Sequence, residues 1–316
     1  MNEIGHIPVL LDETMRLLAP QPGEVAVDCT VGRGGHALEL LKAVQPGGRV
    51  IGFDVDAGSL EFAQQRLDAH ADGFTGIHDS FVRLSHHLVK RKLRADVVLA
   101  DLGFSSAQMD DPSRGFSFHA DGPLDMRLDP AGRTTAADLV AMMTESELSD
   151  VIYQYGEEPL ARKIARKIVQ SRQGEPIRTT ARLARLVYEA YGHRAHSSRM
   201  HPATRTFMAL RIAVNDELAA LRSLLDQLVK AAQQPDGSWL NGSARIGIIS
   251  FHSLEDRMVK QAFADLERRG LAKRLTRRPV TATEQEARAN PRARSAKLRV
   301  AQLGDRLGDR SGDNSV

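Results

Sequence analysis

The nine residues Asp28-Cys-Thr-Val-Gly-Arg-Gly-Gly-His36, with Asp54 eighteen positions further on, constrain this chain more than any other feature. A β-branched and apolar run from Glu24 leads into Asp28, an apolar helical pattern follows from Ala37 to Val44, and a second run, Arg49 to Phe53, ends on Asp54. Strand, glycine turn, helix, strand and acid in that order predict a βαβ unit. Glycines let the backbone turn tightly and approach a ligand closely. An acid closing the second strand is placed to accept hydrogen bonds from ribose hydroxyls. The expected ligand is an adenine nucleoside.

The same alternation extends on both sides. A helix is expected over Val9–Leu18, stopped by Pro20, Pro22 and Gly23, a second over Leu60–Leu67, a strand ending at Ile77, a helix over Phe81–Leu93, and a buried strand, Asp96–Asp101. This predicts an α/β fold with a parallel, doubly wound sheet. After Asp101 the alternation stops. Residues 105–135 are rich in Ser, Asp, Gly and Pro without periodicity, which marks a functional or irregular stretch. Helical patterns then run from Ala136 to Tyr191, where Leu160, Ile164 and Ile168 form a stripe and Arg162, Lys163, Arg166 and Lys167 fall on the other side. One helix is expected over Ala203–Ala232. A strand, Ala244–Ser250, resumes the sheet, Ser253 to Asp256 reads as a capping box with Ser253 as N-cap, and Lys297–Ala301 reads as a closing strand.

Two cofactors fit the glycine turn. Gly32, Gly34 and Ala37 satisfy the dinucleotide pattern, and Asp54 lies twenty residues past Gly34, so NAD is a competitor. Against it, Asp28 would meet a pyrophosphate anion to anion. Ligands of open α/β sheets sit outside the carboxyl ends of the strands, so Asp28, Asp54 and Asp101 are expected to ring one crevice. Three acids suit the ammonium and sulfonium of S-adenosylmethionine better than a diphosphate.

Asp101-Leu-Gly-Phe104 has the spacing of amino-group methyltransferases, an acid three residues before an aromatic, with Leu102 and Gly103 where two prolines are usual. An exocyclic amine on a base is a poor nucleophile because its lone pair is delocalised into the ring. Acceptors that pull on its N–H groups, a stacking aromatic at Phe104, and alignment with the methyl group would supply the acceleration. Methylation at carbon 5 of a pyrimidine needs a cysteine nucleophile, and the single cysteine, Cys29, lies behind the cofactor turn. His252 is a second candidate for contact with substrate or for accepting a proton. His193, His196 and His201 lie in a basic stretch without neighbouring acids, so no metal centre is expected.

The net charge of +3 hides an asymmetry: residues 1–155 carry −10, residues 156–211 carry +8, and residues 268–299 carry +9. Two basic blocks on a nearly neutral chain suggest a polyanion that meets one face. No apolar run is long enough to span a bilayer, and no secretory signal stands at the N-terminus; a cytoplasmic location and no membrane partner are expected.

Several longer strings carry a resemblance: His6-Ile-Pro-Val-Leu-Leu-Asp-Glu13, Gly32 to His36, Asp101-Leu-Gly-Phe-Ser-Ser106, Arg114-Gly-Phe-Ser-Phe118, Asp121 to Arg127, Tyr155-Gly-Glu-Glu158, His201 to Phe207, Ser250 to Arg257 and Asn290 to Arg299. Together they resemble the MraW (RsmH) family of bacterial 16S ribosomal RNA cytosine-N4 methyltransferases. The resemblance implies a class I, Rossmann-like methyltransferase domain at 1–108 and 203–303, interrupted by a helical domain at 109–202; the Gly-, Asp- and Ser-rich end, residues 304–316, reads by composition as a disordered tail. It implies S-adenosylmethionine as cofactor, contacted at Gly34, Gly35, His36, Asp54, Phe81, Asp101 and Gln108. The implied substrate is a cytosine amine in the decoding centre of 16S rRNA within the 30S subunit, with Asp101 nearest the chemistry. Phosphates would be held by Arg162, Lys163, Arg166, Lys167, Arg292, Arg294 and Lys297. A DNA amino-methyltransferase and an RNA-binding module without catalysis are the remaining alternatives.

Overall fold

The computed structural model describes residues 8–197, 200–234 and 237–304. The tail expected at 304–316 and the first two residues of the His6–Glu13 string fall almost wholly outside them. The chain divides into two compact units, residues 1–103 with 218–316, and residues 104–217.

The first unit is a doubly wound α/β sheet. In chain order it comprises α1 (Leu11–Leu18), β1 (Val25–Asp28), α2 (Gly35–Val44), β2 (Arg49–Asp54), α3 (Ala57–Leu67), β3 (Phe74–His78), α4 (Leu84–Lys90) and β4 (Ala95–Asp101). After the second unit's five helices and short α5, described below, it resumes with α11 (Glu217–Gln233), β5 (Leu240–Ser250), α12 (Ser253–Arg268), β6 (Ala272–Arg274), α13 (Glu284–Ala289) and β7 (Lys297–Leu303). The strand order is β3-β2-β1-β4-β5-β7-β6. Strands β3 to β5 run parallel, and β7 is antiparallel to β5 and β6. This is the parallel, doubly wound sheet expected from the sequence, extended by an antiparallel edge.

Side chains alternate between two cores because successive strand residues point to opposite faces. Ala26, Val50, Val97, Leu99 and Ile249 pack on α1 and α2. Val27, Ile51, Val98, Ala100 and Ile248 pack with α4, α11 and α12. A sheet covered on both faces needs apolar residues at nearly every position, which is why β1, β2 and β4 were readable as unbroken apolar runs. The chain leaves β1 in one direction along the sheet and β4 in the other. That reversal opens a crevice at the carboxyl ends of these two strands.

The second unit is helical: α5 (Ser106–Asp110), α6 (Ala136–Met142), α7 (Glu145–Gly156), α8 (Ala161–Arg172), α9 (Thr180–Tyr191) and α10 (Ala203–Asn215). Its core joins Leu148, Ile152, Ile164, Ile168, Leu183, Val187, Phe207 and Leu210. Two expectations are corrected here. The single helix over Ala203–Ala232 is two helices, broken at Asp216, whose backbone is left-handed at φ 49. The helical unit therefore runs over 104–217 and not 109–202, because Phe207 and Leu210 of α10 belong to its core. Gly156 is where α7 meets α10: a Cβ there would lie 2.6 Å from the Arg205 carbonyl oxygen.

Candidate functional site

The crevice is built from the ends of β1, β2 and β4. Asp28 closes β1 and is 1% exposed. Its Oδ1 accepts from the Thr30 amide at 3.1 Å, while Oδ2 is buried without a hydrogen-bond partner among the described residues. Burial, with Asp54 nearby, pushes its pKa up to about 7. Asp101 closes β4, one strand over. Its amide donates to the Thr30 hydroxyl at 2.7 Å, and its Oδ1 is likewise buried without a partner. Burial, reinforced by Asp28 and Glu255, holds the Asp101 carboxyl well above the usual carboxylate range. The structure brings these acids to the ends of neighbouring strands, where the charge of Asp54 bears on Asp28 and that of Asp28 on Asp101.

Asp54, at the end of β2, does two jobs that appeared separate in the sequence. Its Oδ2 accepts from the Gly32 amide at 2.7 Å and its Oδ1 from the Asp56 amide at 2.8 Å. The acid thus ties the glycine turn to β2, and burial raises its pKa. Each carboxylate oxygen keeps a further lone pair for a hydroxyl donor. Within the turn, Gly32 and Gly34 have φ of 52° and 75°, a conformation that L side chains rarely adopt, and a Cβ on Gly32 would meet only open space. At Gly35 a Cβ would come within 2.5 Å of Pro8 Cγ, so the N-terminal segment closes directly on the turn. His36, 6% exposed, completes the contact: its Nε2 is 3.0 Å from the Val9 carbonyl oxygen and its Nδ1 is 3.6 Å from Asp101 Oδ2.

Phe81 begins a short 3-10 turn after β3, capped by the Ser80 hydroxyl, and packs half-buried against the core. That places it past the end of the strand beside β2. The neighbouring Asp79 is engaged by His87 at 2.7 Å and by Arg83 at 3.4 Å.

Other expected residues have different surroundings. The N-cap of α12 is His252 and not Ser253, and the third helical residue is Glu255 and not Asp256. Glu255 accepts from the Phe251 amide at 2.9 Å. It is 2% exposed. His252 Nε2 lies 3.2 Å from Glu255 Oε1, ion-pair distance without hydrogen-bond alignment. Phe104 belongs to the helical unit. Its ring stacks on Phe116 with centroids 5.0 Å apart, and the Arg211 guanidinium carbon lies 4.8 Å from its centroid. It is already a packing residue, which does not favour a base-stacking role. Gln108, also in that unit, forms a capping box with Ser105, whose amide donates to Gln108 Oε1 at 2.9 Å.

Of the basic residues, Arg162, Lys163 and Arg166 are exposed on α8. Arg166 pairs with Glu145 at 3.3 Å and Lys167 with Glu189 at 2.8 Å. Arg294 is exposed and Arg292 partly buried. Lys297 lies 3.8 Å from Asp256. Arg299, at the end of the basic block, is buried and bound to Asp256 at 2.6 Å, so it is structural. His201 stacks on Phe118 at 4.5 Å and His196 meets Tyr188 edge-on, which gives both rings protein partners.

Sequence reasoning missed Thr30, Val9 and Glu255. Thr30 sits in the quoted glycine string. A hydroxyl two residues after a strand-ending acid, at the base of such a turn, was the available signal.

The residues fit a cationic nucleoside cofactor: an open glycine turn, an acid at the end of β2 with lone pairs to spare, and two buried carboxylate oxygens that lack donors among the described residues. No described helix is long and apolar enough to cross a membrane. Residues 3–303 match the model of the MraW methylase family. The chain is 47% identical over 306 residues to a ribosomal RNA small subunit methyltransferase H of Synechococcus sp. (strain CC9605), covering 96% of this chain and 98% of that protein. It is 45% identical over 309 residues to the protein of that name in Koribacter versatilis, covering 95% of each. With the one in Paenibacillus sp. (strain JDR-2) it shares 43% over 319 residues, covering 94% of this chain and 98% of that protein.

Proposed function

Because the chain belongs to the MraW methylase family, a family of S-adenosylmethionine-dependent methyltransferases, we propose that it methylates the exocyclic N4 amine of a cytosine in the decoding centre of 16S rRNA, within the small ribosomal subunit. The observation that carries the cofactor side is the pair Asp28 and Asp101, each with one buried carboxylate oxygen lacking a hydrogen-bond donor among the described residues, at the point where the sheet reverses direction. NAD, left open by the glycine pattern, finds no support in a methylase family whose crevice is lined by acids. The names of the relatives support ribosomal RNA as the substrate.

S-adenosylmethionine supplies a methyl group on a positively charged sulfur, ready for in-line displacement. The protein's part is to hold and orient. Gly34 and Gly35 let the turn approach the cofactor, Asp54 accepts from its ribose, and Phe81 flanks the adenine. Asp28 supplies negative charge beneath the site. Asp101 accepts an N–H of the cytosine amine, which favours a pyramidal nitrogen and directs its lone pair at the methyl carbon. Orientation of this kind removes much of the entropic barrier. Arg162, Lys163, Arg166 and Lys167 of α8, with Arg292, Arg294 and Lys297, hold RNA phosphates.

The test is transfer of labelled methyl groups to purified 30S particles, free 16S rRNA and DNA, followed by nucleoside analysis. N4-methylcytidine in ribosomal RNA is expected. Label in DNA, or on another nucleoside, would overturn the assignment.

A further inference from the structure

His36 has surroundings that go beyond holding a cofactor. Its Nε2 is 3.0 Å from the Val9 carbonyl oxygen. A carbonyl oxygen only accepts, so Nε2 carries the hydrogen and Nδ1 of the neutral ring presents a lone pair. Nδ1 lies 3.6 Å from Asp101 Oδ2. That is longer than a hydrogen bond, as catalytic contacts often are before substrate binds.

The carbonyl that sets this tautomer is itself fixed. Leu10 follows it in a left-handed conformation, φ 54, and its amide donates to Glu286 Oε1 of α13 at 2.7 Å. Before it, Pro8 closes on Gly35. A short N-terminal strap, anchored by the C-terminal part of the chain, therefore selects which imidazole nitrogen faces the acid.

The geometry assigns His36 as the positioning residue of Asp101, taking on Nδ1 the proton that Asp101 receives from the acceptor amine; the assignment rests on the methyl-transfer function proposed above. As the amine nitrogen forms its bond to the methyl carbon, the methyl–sulfur bond breaks and its electron pair leaves with the now neutral thioether; the amine nitrogen becomes cationic, and its N–H bond breaks toward Oδ2 of the Asp101 carboxylate. The Asp101 Oδ2 proton passes to His36 Nδ1. Asp101 ends as a carboxylate and His36 as an imidazolium, so one proton has moved and charge is conserved. Asp101 from β4, with Asp28 from β1 and Glu255 from α12 beside it, supplies the negative surroundings that an imidazolium needs. Burial and the neighbouring acids keep Asp101 inclined to hold a proton, which a partner base relieves.

Two measurements test this. In the cofactor-free full-length protein with 15N-labelled histidine, His36 is expected as the Nε2–H tautomer, with an Nδ1 resonance that moves in Asp101→Asn. An Nδ1–H tautomer, or a resonance indifferent to Asp101→Asn, would overturn the assignment. In methyl transfer to 30S particles at saturating S-adenosylmethionine, His36→Gln is expected to lower kcat on the order of 100-fold and to alter the acid limb of the pH–rate profile. A raised KM for S-adenosylmethionine with kcat and the pH profile unchanged would make His36 a cofactor contact only and reject the proposal. If His36→Gln does not fold, the resonance measurement on the wild type decides. A wild-type protein that transfers no methyl group defeats the functional assignment instead, and the tautomer still decides the role of His36.

Discussion

Asp28 and Asp101 end adjacent parallel strands, and each leaves one carboxylate oxygen buried without a hydrogen-bond donor among the described residues, while Thr30 binds both: its amide to Asp28 and its hydroxyl to the Asp101 amide. Burying carboxylates without full pairing is costly. A fold that only sought stability would not place two side by side. A cation bound beside them would offset the cost.

The first prediction follows from that cost. The folded-state pKa of Asp28, about 7, lies above its ordinary value of 3.8. Between those values the folded state binds more protons than the unfolded one, so stability falls as pH rises through this window and the penalty is full above about pH 7. Its size is on the order of a few kcal/mol. Asp28→Asn should therefore raise the melting temperature of the cofactor-free protein at pH 8, with the gain vanishing near pH 4. The same variant should bind S-adenosylmethionine more weakly. Equal melting temperatures at pH 8 would show that the charge is compensated.

Cofactor uptake should be linked to proton release. A cation beside Asp28 and Asp101 favours their ionised forms, so binding expels protons held in the free protein. Affinity for S-adenosylmethionine should rise with pH through neutrality, roughly tenfold weaker at pH 6 than at pH 8 for one group titrating near 7. Titration calorimetry in buffers of different ionisation enthalpy measures the protons directly. Buffer-independent heats would contradict the linkage.

Not all cations counted in the sequence remain available to RNA. Arg299 is buried on Asp256, whereas Arg162, Lys163 and Arg166 stand exposed on α8. Replacing the three exposed residues with Gln should weaken binding to 30S particles and reduce the log–log salt slope by roughly one to three. Methylation at saturating substrate should change less than affinity. An unchanged slope would remove α8 from the RNA contact.

The strands and their terminal acids were legible because a buried parallel sheet demands unbroken apolar runs, and a polar residue ends each run at Asp28, Asp54 and Asp101. What was not legible depended on tertiary contact or on backbone conformation that leaves no residue signature. Asp216 breaks a helix in a left-handed conformation usually marked by glycine. His252 takes an N-cap position where Ser253 is the more usual type, shifting the capping acid from Asp256 to Glu255. Strand β6 has three residues, too few for a pattern. The 276-residue separation between Leu10 and Glu286 is beyond any local rule.

That last contact is also the most direct way to disturb the site from a distance. Glu286→Ala leaves the Leu10 amide without its acceptor, and Leu10 is fully buried in a left-handed conformation that needs support. A buried donor without a partner costs about 1–3 kcal/mol. The strap over the glycine turn should loosen, and affinity for S-adenosylmethionine should fall by roughly fivefold or more. Glu286→Gln keeps an acceptor oxygen within reach and should retain most of the affinity. The comparison separates the hydrogen bond from the charge: equal losses in both variants would assign the effect to the carboxylate, and no loss in either would show that the strap is held by Pro8 and the buried Leu10 side chain alone. Calorimetric titration of both variants, with thermal melts to confirm folding, makes the measurement.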